Sequence, residues 1–259
     1  MSRPPAAPAL AGWYVISLRP SGEHAPVRRA AAALGASTFA LSTLRLQALS
    51  ADEARKSAMA CAWAIATSPA AVRFAFAWPA PPRPRGQRWF APGPGTAAAL
   101  RRRGVDAIEV PVDGHDSAHL LALPALREVR GKSIGLLTAP GGRDLLAPTL
   151  TQRGARVVRA DVYRREPRVP TSTRLAALAA LPGRSALLVS SAEAFAVLWS
   201  ALDERGRASL RRRPAVAAST RLAALLARHG FKRVLTATGA GPAALLAALH
   251  AGRKVDPLR

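Results

Sequence analysis

One strand-and-helix pattern, written twice in the same order, limits what this chain can fold into. Residues 15–18 form a short apolar run, Arg19-Pro20-Ser21-Gly22 is a turn, and Val27, Ala30, Ala31 and Leu34 then recur at helical spacing. Roughly 120 residues later the order returns: an apolar run at 134–138, the turn Ala139-Pro140-Gly141-Gly142, and a helix with Leu145, Leu146, Thr149 and Leu150 on one side. Each copy ends in a Gly-Ala turn, Gly35-Ala36 and Gly154-Ala155, and runs on into an extended segment, 38–46 in the first copy and 159–167 in the second.

The match continues beyond these segments. Residues 63–66 read as a strand, Thr67-Ser68-Pro69 as a helix start, and Val72 and Phe76 lie along the helix that follows. Their counterparts are the strand 186–189, Ser190-Ser191, and Phe195, Leu198, Trp199 and Leu202 at helical spacing. A third pair sets the strand 88–91, the loop Pro92-Gly93-Pro94-Gly95-Thr96 and a helix to Arg103 beside the strand 215–218, Ser219-Thr220 and a helix carrying Leu222, Leu225 and Leu226. Gly104 and Gly230 follow the two helices, as a left-handed C′ position favours. Residues 117–126 and 242–250 are a closing helical pair, and 79–86 is a Pro/Arg-rich surface insertion.

Strands alternating with helices imply parallel sheets covered on both faces, so the expected fold is α/β, two similar doubly wound parallel-sheet domains. If both extended segments cross between domains, residues 47–157 form an inserted domain and 13–37 join 170–253 in a discontinuous one. Residues 38–46 and 158–169 then pair as a two-stranded linker, and 1–12 are a loose tail. Ligands of such sheets bind beyond the carboxyl ends of the strands, which makes a cleft shared by the two domains the expected site.

Composition narrows the partners. With 38 Lys and Arg against 15 Asp and Glu the formal charge is +23, which concentrates anions such as nucleic acid or polycarboxylates around any fold. Few aromatic residues lie among the arginine runs, which disfavours a single-strand nucleic-acid platform. A lone cysteine, Cys61, forms no internal disulfide and suits a reducing, cytoplasmic compartment. Apolar runs are too short for a membrane span, so no membrane partner is expected, and the chain is expected to act as a monomer.

Several chemistries are weakly supported. Gly93, Gly95 and Ala98 satisfy a dinucleotide-binding spacing, but the loop follows a later strand than the first of its domain, and Pro94 removes an amide donor. What this helix start offers instead is backbone amides for a carboxylate. Asp113, His115, Asp116 and His119 form a local cluster without a third ligand at a recognisable metal spacing. Nucleophilic catalysis has no elbow motif, and Cys61 has no nearby histidine in sequence. The strand ends do carry hydroxyls: Thr67, Ser68, Thr96, Ser190, Ser191, Ser219 and Thr220, each of which also suits an N-cap. Together they would make an anion-binding rim.

In order, Ala66-Thr-Ser-Pro-Ala-Ala-Val72, Gly93-Pro-Gly-Thr96, Gly141-Gly-Arg-Asp-Leu145, Gly154-Ala-Arg-Val157, Asp161-Val-Tyr-Arg164 and Val189-Ser-Ser191 resemble the uroporphyrinogen-III synthase family. The resemblance runs from about residue 13 to 249. It implies two α/β domains on a two-stranded linker and the cyclisation of hydroxymethylbilane, a linear polycarboxylate tetrapyrrole, with inversion of the terminal ring and loss of water. No metal or organic cofactor is implied. Tyr163 matches the family's linker tyrosine, a neutral phenol able to donate a hydrogen bond to the leaving hydroxyl. Thr67, Ser68, Thr96, Ser190 and Ser191 match cleft positions that would hold acetate and propionate groups, with Arg19 adding charge. The chain departs from the family at Leu222, where a threonine is usual, and Thr220 stands near as a substitute. The alternative from another class is a non-catalytic two-domain ligand- or nucleic-acid-binding regulatory protein, the charge being its support, although a nucleic-acid partner is not expected.

Overall fold

The structure, a computed structural model, describes residues 8–50, 52–79, 81–114, 116–141 and 145–255. The chain opens with β1 (Tyr14–Ser17), α1 (Ala25–Ala33), β2 (Ser37–Ala40) and β3 (Leu44–Ala48). There follow α2 (Asp52–Met59), β4 (Trp63–Ala66), α3 (Pro69–Ala75), β5 (Arg88–Phe90), α4 (Pro94–Arg101) and β6 (Ile108–Glu109). Two short helices, α5 (Ser117–Leu121) and α6 (Pro124–Arg127), precede β7 (Ser133–Thr138), α7 (Leu146–Gln152), β8 (Arg156–Asp161) and β9 (Tyr163–Pro167). The remainder is α8 (Ser172–Ala179), β10 (Ser185–Val189), α9 (Ala192–Ala201), α10 (Glu204–Arg211), β11 (Ala215–Ala217), α11 (Thr220–Arg228), β12 (Val234–Thr236) and α12 (Pro242–Val255).

The described residues divide into two compact units, one of 1–45 with 166–259 and one of 46–165. Each holds a five-stranded sheet in which every recorded pairing is parallel, in the order β12-β11-β10-β1-β2 and β6-β5-β4-β7-β8. The two orders are equivalent strand for strand, although the first sheet takes its strands from both ends of the chain. In both, the strand order reverses in the middle, between β10 and β1 and between β4 and β7, which is where a doubly wound sheet leaves a crevice at its carboxyl edge.

Both faces of each sheet are covered, and alternate strand residues show it. In β4, Ala64 and Ala66 join one core with Leu100 and Leu137, while Ile65 points into another with Phe90, Ile134 and Leu136. In β10, Leu187 and Val189 pack with Ile16 and Phe195, while Ala186 and Leu188 pack with Val15, Val27 and Leu245. The approach of α2 onto β7 is close enough to require glycine: a Cβ at Gly135 would stand 1.9 Å from the Ala58 carbonyl oxygen.

Two expectations about the connections change. The stretches at 38–46 and 158–169 are not single linker strands, because β2 and β8 complete the edges of the two sheets in register with β1 and β7. Only β3 and β9 form the separate two-stranded sheet. Its bonds run antiparallel, from Arg168 N to Thr43 O at 2.8 Å and Leu49 N to Val162 O at 3.2 Å, with Arg45 on Glu166 at 2.7 Å between them. The amino-terminal segment expected to be loose is anchored from residue 8: Leu10 is fully buried with Trp13 and Val15, and its N–H donates to Leu34 O at 2.7 Å. Residues 1–7 of that segment lie outside the described residues.

Candidate active site

At the strand reversal of the 46–165 unit, β4 and β7 end side by side. Thr67 N donates to Leu137 O at 3.1 Å, and the Thr67 hydroxyl stands 3.1 Å from that of Thr138. Ser68 leaves the strand in extended conformation (φ −162°, ψ 161°) and caps α3, its Oγ accepting from Ala71 N at 3.0 Å. Proline at the first position of α3 costs nothing, since that N–H has no helical partner. Ser68 Oγ also lies 3.2 Å from the hydroxyl of Tyr163, the first residue of β9.

Tyr163 is 5% exposed, its ring stacked on Phe74 at 5.3 Å between centroids and 16° between planes. The Arg73 guanidinium lies 4.8 Å from the same Phe74 ring. These contacts fix the phenol, and the capping bond fixes the serine. With its oxygen accepting from Ala71, Ser68 still has one proton to give. If that proton goes to Tyr163, the phenolic proton is free to be donated elsewhere; the reverse direction consumes it.

The glycine loop stands one strand away, at the end of β5. Gly93 is the N-cap of α4 without a side chain to cap, Gly95 is exposed, and Thr96 is buried, its N–H held by Gly93 O at 3.1 Å. The Thr96 hydroxyl therefore belongs to the interior of the α4 packing, and Gly95 is the open position of the loop.

In the unit of 1–45 with 166–259, the same strand-serine-helix join occurs twice. Ser191 caps α9 through Ala194 N at 3.2 Å and Ser219 caps α11 through Leu222 N at 3.4 Å, both in extended conformation. Ser190 is half-buried beside Ser191, and Thr220 is exposed at the start of α11. Leu222 is 3% exposed and fills the core, so it offers no polar contact where the family usually has threonine. Arg19 lies two residues beyond the end of β1 and donates to Ala240 O at 2.8 Å. Burial lowers its pKa below the usual guanidinium value and Glu23 pulls it back.

His24, at the N-cap position of α1, has a specific place. It is 5% exposed, with Nδ1 3.0 Å from Ser17 Oγ at the end of β1 and Nε2 2.8 Å from Ser42 Oγ. Burial first, then the charges of Arg28, Arg19 and Arg174, lower its pKa to about 4. The imidazole is neutral and clamps the turn between β2 and β3 to the loop that carries Arg19. Nothing in the spacing of Ser17, His24 and Ser42 announces this, because the three meet only when β1 and β2 pair.

Other sequence candidates do not converge. Asp116 caps α5 and bonds His119 Nδ1 at 2.8 Å, while His115 lies outside the described residues. No group of three metal-ligating side chains occurs among the described residues, nor is any helix among them long and apolar enough to cross a membrane. His229 packs against Trp199 and Phe195 at 4.8 and 5.1 Å between ring centroids. Cys61 is buried, which pushes its thiol pKa up and leaves it a poor nucleophile.

A family model described as uroporphyrinogen-III synthase HemD matches residues 26–247. The chain is 37% identical over 144 residues to a uroporphyrinogen-III synthase of Salmonella typhimurium, a match spanning 52% of this chain and 56% of that protein. It is 42% identical over 82 residues to the Escherichia coli enzyme of the same name, covering 32% of this chain and 33% of the relative. These matches thus span little more than half, or less, of the relatives' lengths. Among solved structures, uroporphyrinogen-III synthetase from Helicobacter pylori superposes with a TM-score of 0.62 at 16% identity, covering 94% of this chain and 99% of the other. A mutant uroporphyrinogen III synthase from Thermus thermophilus gives 0.56 at 18%, covering 94% and 100%.

Proposed function

Because the chain belongs to the uroporphyrinogen-III synthase family, we propose that it converts hydroxymethylbilane to uroporphyrinogen III, a cyclising lyase reaction that releases water. Loss of the terminal hydroxyl with a proton leaves an electrophilic azafulvene. The substituted carbon of the far pyrrole attacks it to give a spiro intermediate, whose fragmentation and reclosure invert that ring and restore the proton balance. The protein's task is to hold a flexible polyanion nearly cyclic and to assist departure of the hydroxyl.

The observation that carries this reading is the Tyr163–Ser68 pair. A phenol whose hydroxyl is met by a capping serine at the end of β4 is poised as a weak neutral acid, the kind of donor a departing hydroxyl needs. Thr67 lies beside it, and the exposed Gly95 opens the neighbouring helix start, where backbone amides favour carboxylate. In the other unit, Ser190, Ser191, Ser219 and Thr220 line the strand ends with hydroxyls, and Arg19 adds a cation. These residues are proposed to take the substrate's acetate and propionate groups.

The decisive experiment supplies enzymically generated hydroxymethylbilane, oxidises the products and separates the isomers. Isomer III is expected; isomer I alone, the product of unassisted closure, would overturn the assignment. Tyr163→Phe separates acid from packing, since it keeps the ring on Phe74 and removes only the hydroxyl. Its turnover is expected to fall about 100-fold or more, and undiminished turnover would remove the acid role while leaving the family reading in place.

A further inference from the structure

A cavity of about 570 Å³ opens within the 46–165 unit where β3 runs into α2. None of the hydroxyls assigned to the bilane lines it. Part of its lining is apolar: Leu49, Phe74 and Val162 contribute, and Trp78 stands beside them 62% exposed. Exposed tryptophan is uncommon because its large apolar surface gains from being covered. The volume falls within the range of small-molecule pockets, about 300–1,000 Å³.

The polar residues of the same cavity are unbalanced. One carboxylate, Asp52, is shared by two cations, with Arg55 Nη2 at 2.6 Å and Lys56 Nζ at 2.5 Å. Arg55 is 4% exposed and fixed further by the carbonyls of Ala75 and Pro79. Lys56 is 49% exposed on a flexible stem, so it is the cation able to turn towards a ligand. The three groups sum to one positive charge, and an anion entering the cavity would neutralise it.

We infer that this cavity binds a planar aromatic monoanion, its ring against Trp78 and Phe74 and its carboxylate paired with Lys56. Phe74 is also the ring on which Tyr163 stacks, so the ligand would share a wall with the Tyr163–Ser68 pair. Binding itself requires no bilane, and the inference stands or falls separately from the proposed reaction.

The test titrates 2-naphthoate into the full chain, with calorimetry for stoichiometry and tryptophan quenching for affinity. The uncharged analogue 2-naphthalenemethanol serves as the match in shape. One equivalent of naphthoate should bind, and the alcohol at least about tenfold more weakly, as loss of a charge-assisted contact predicts. Lys56→Gln and Trp78→Ala should each weaken naphthoate binding by a similar factor, with Trp78→Phe regaining part of it. Absence of saturable binding, or stoichiometric binding indifferent to both Lys56→Gln and Trp78→Ala, would overturn the inference. Both residues are solvent-accessible, and thermal melts matching the parent establish that the variants are folded.

Discussion

Acid should loosen the unit that contains His24, and the amount follows from its surroundings. The buried imidazole lies within bonding distance of the Ser17 and Ser42 hydroxyls, each of which can donate or accept, so it is burial beside three arginines that selects the neutral form. Its pKa falls from 6.5 to about 4 in the folded chain, through burial first and then Arg28, Arg19 and Arg174. Between those values the unfolded chain binds a proton that the folded chain refuses. Stability is therefore fully present above 6.5 and is lost as pH falls towards 4. At about 1.36 kcal/mol per pKa unit the whole shift corresponds to about 3 kcal/mol, and solvent screening of the arginines reduces this to roughly 2 kcal/mol. Urea unfolding of the parent and of His24→Gln, followed between about pH 7.5 and about pH 4.5, isolates the effect, since every other titrating group is common to both. The variant should begin about 1 kcal/mol less stable from the lost Ser17 bond and then lose about 2 kcal/mol less than the parent on acidification. Parallel decline of the two proteins would refute a neutral, pKa-depressed His24.

Gly135→Ala should destabilise the 46–165 unit by about 3 kcal/mol or more, because the clash at 1.9 Å is with the Ala58 backbone rather than a movable side chain; the melting transition reads this directly. Ser68→Ala removes both the α3 cap and the partner of Tyr163, for about 1–2 kcal/mol of stability. Its turnover loss should not add to that of Tyr163→Phe in a double-mutant cycle, since the two hydroxyls act as a unit. Thr43→Val should cost about 1–3 kcal/mol in urea unfolding, as Thr43 is fully buried and its hydroxyl is a donor to Ala194 O at 2.8 Å.

The repeat was legible because each strand and helix has its own local signal. Alternating parallel units need apolar runs of four to six residues followed by helical periodicity, and both copies of β1/β7 and β4/β10 have them. The capping serines were legible for the same reason, as Ser68, Ser191 and Ser219 each sit one residue ahead of a helix start. The helix α10 was harder to see: its polar run Glu204–Arg211 buries only Leu210, so its apolar periodicity is faint, and the Asp203 cap marks it best. The linker segments misled in the other direction, since 38–46 and 158–169 look extended throughout and do not reveal that each holds a sheet edge as well as a linker strand.

By itself, then, the sequence determined the two α/β units and the serine caps, properties set within a few neighbouring residues, while the family resemblance singled out Tyr163 as the candidate phenol. Only the tertiary structure decided which groups meet. Tyr163 reaches Ser68 across 95 residues of chain, Thr96 turns into the core, and His24 becomes a neutral clamp because strand pairing brings two serines to a ring that burial keeps uncharged. Hydrogen bonds and pKa values depend on distance and desolvation, and neither is encoded in spacing along the chain.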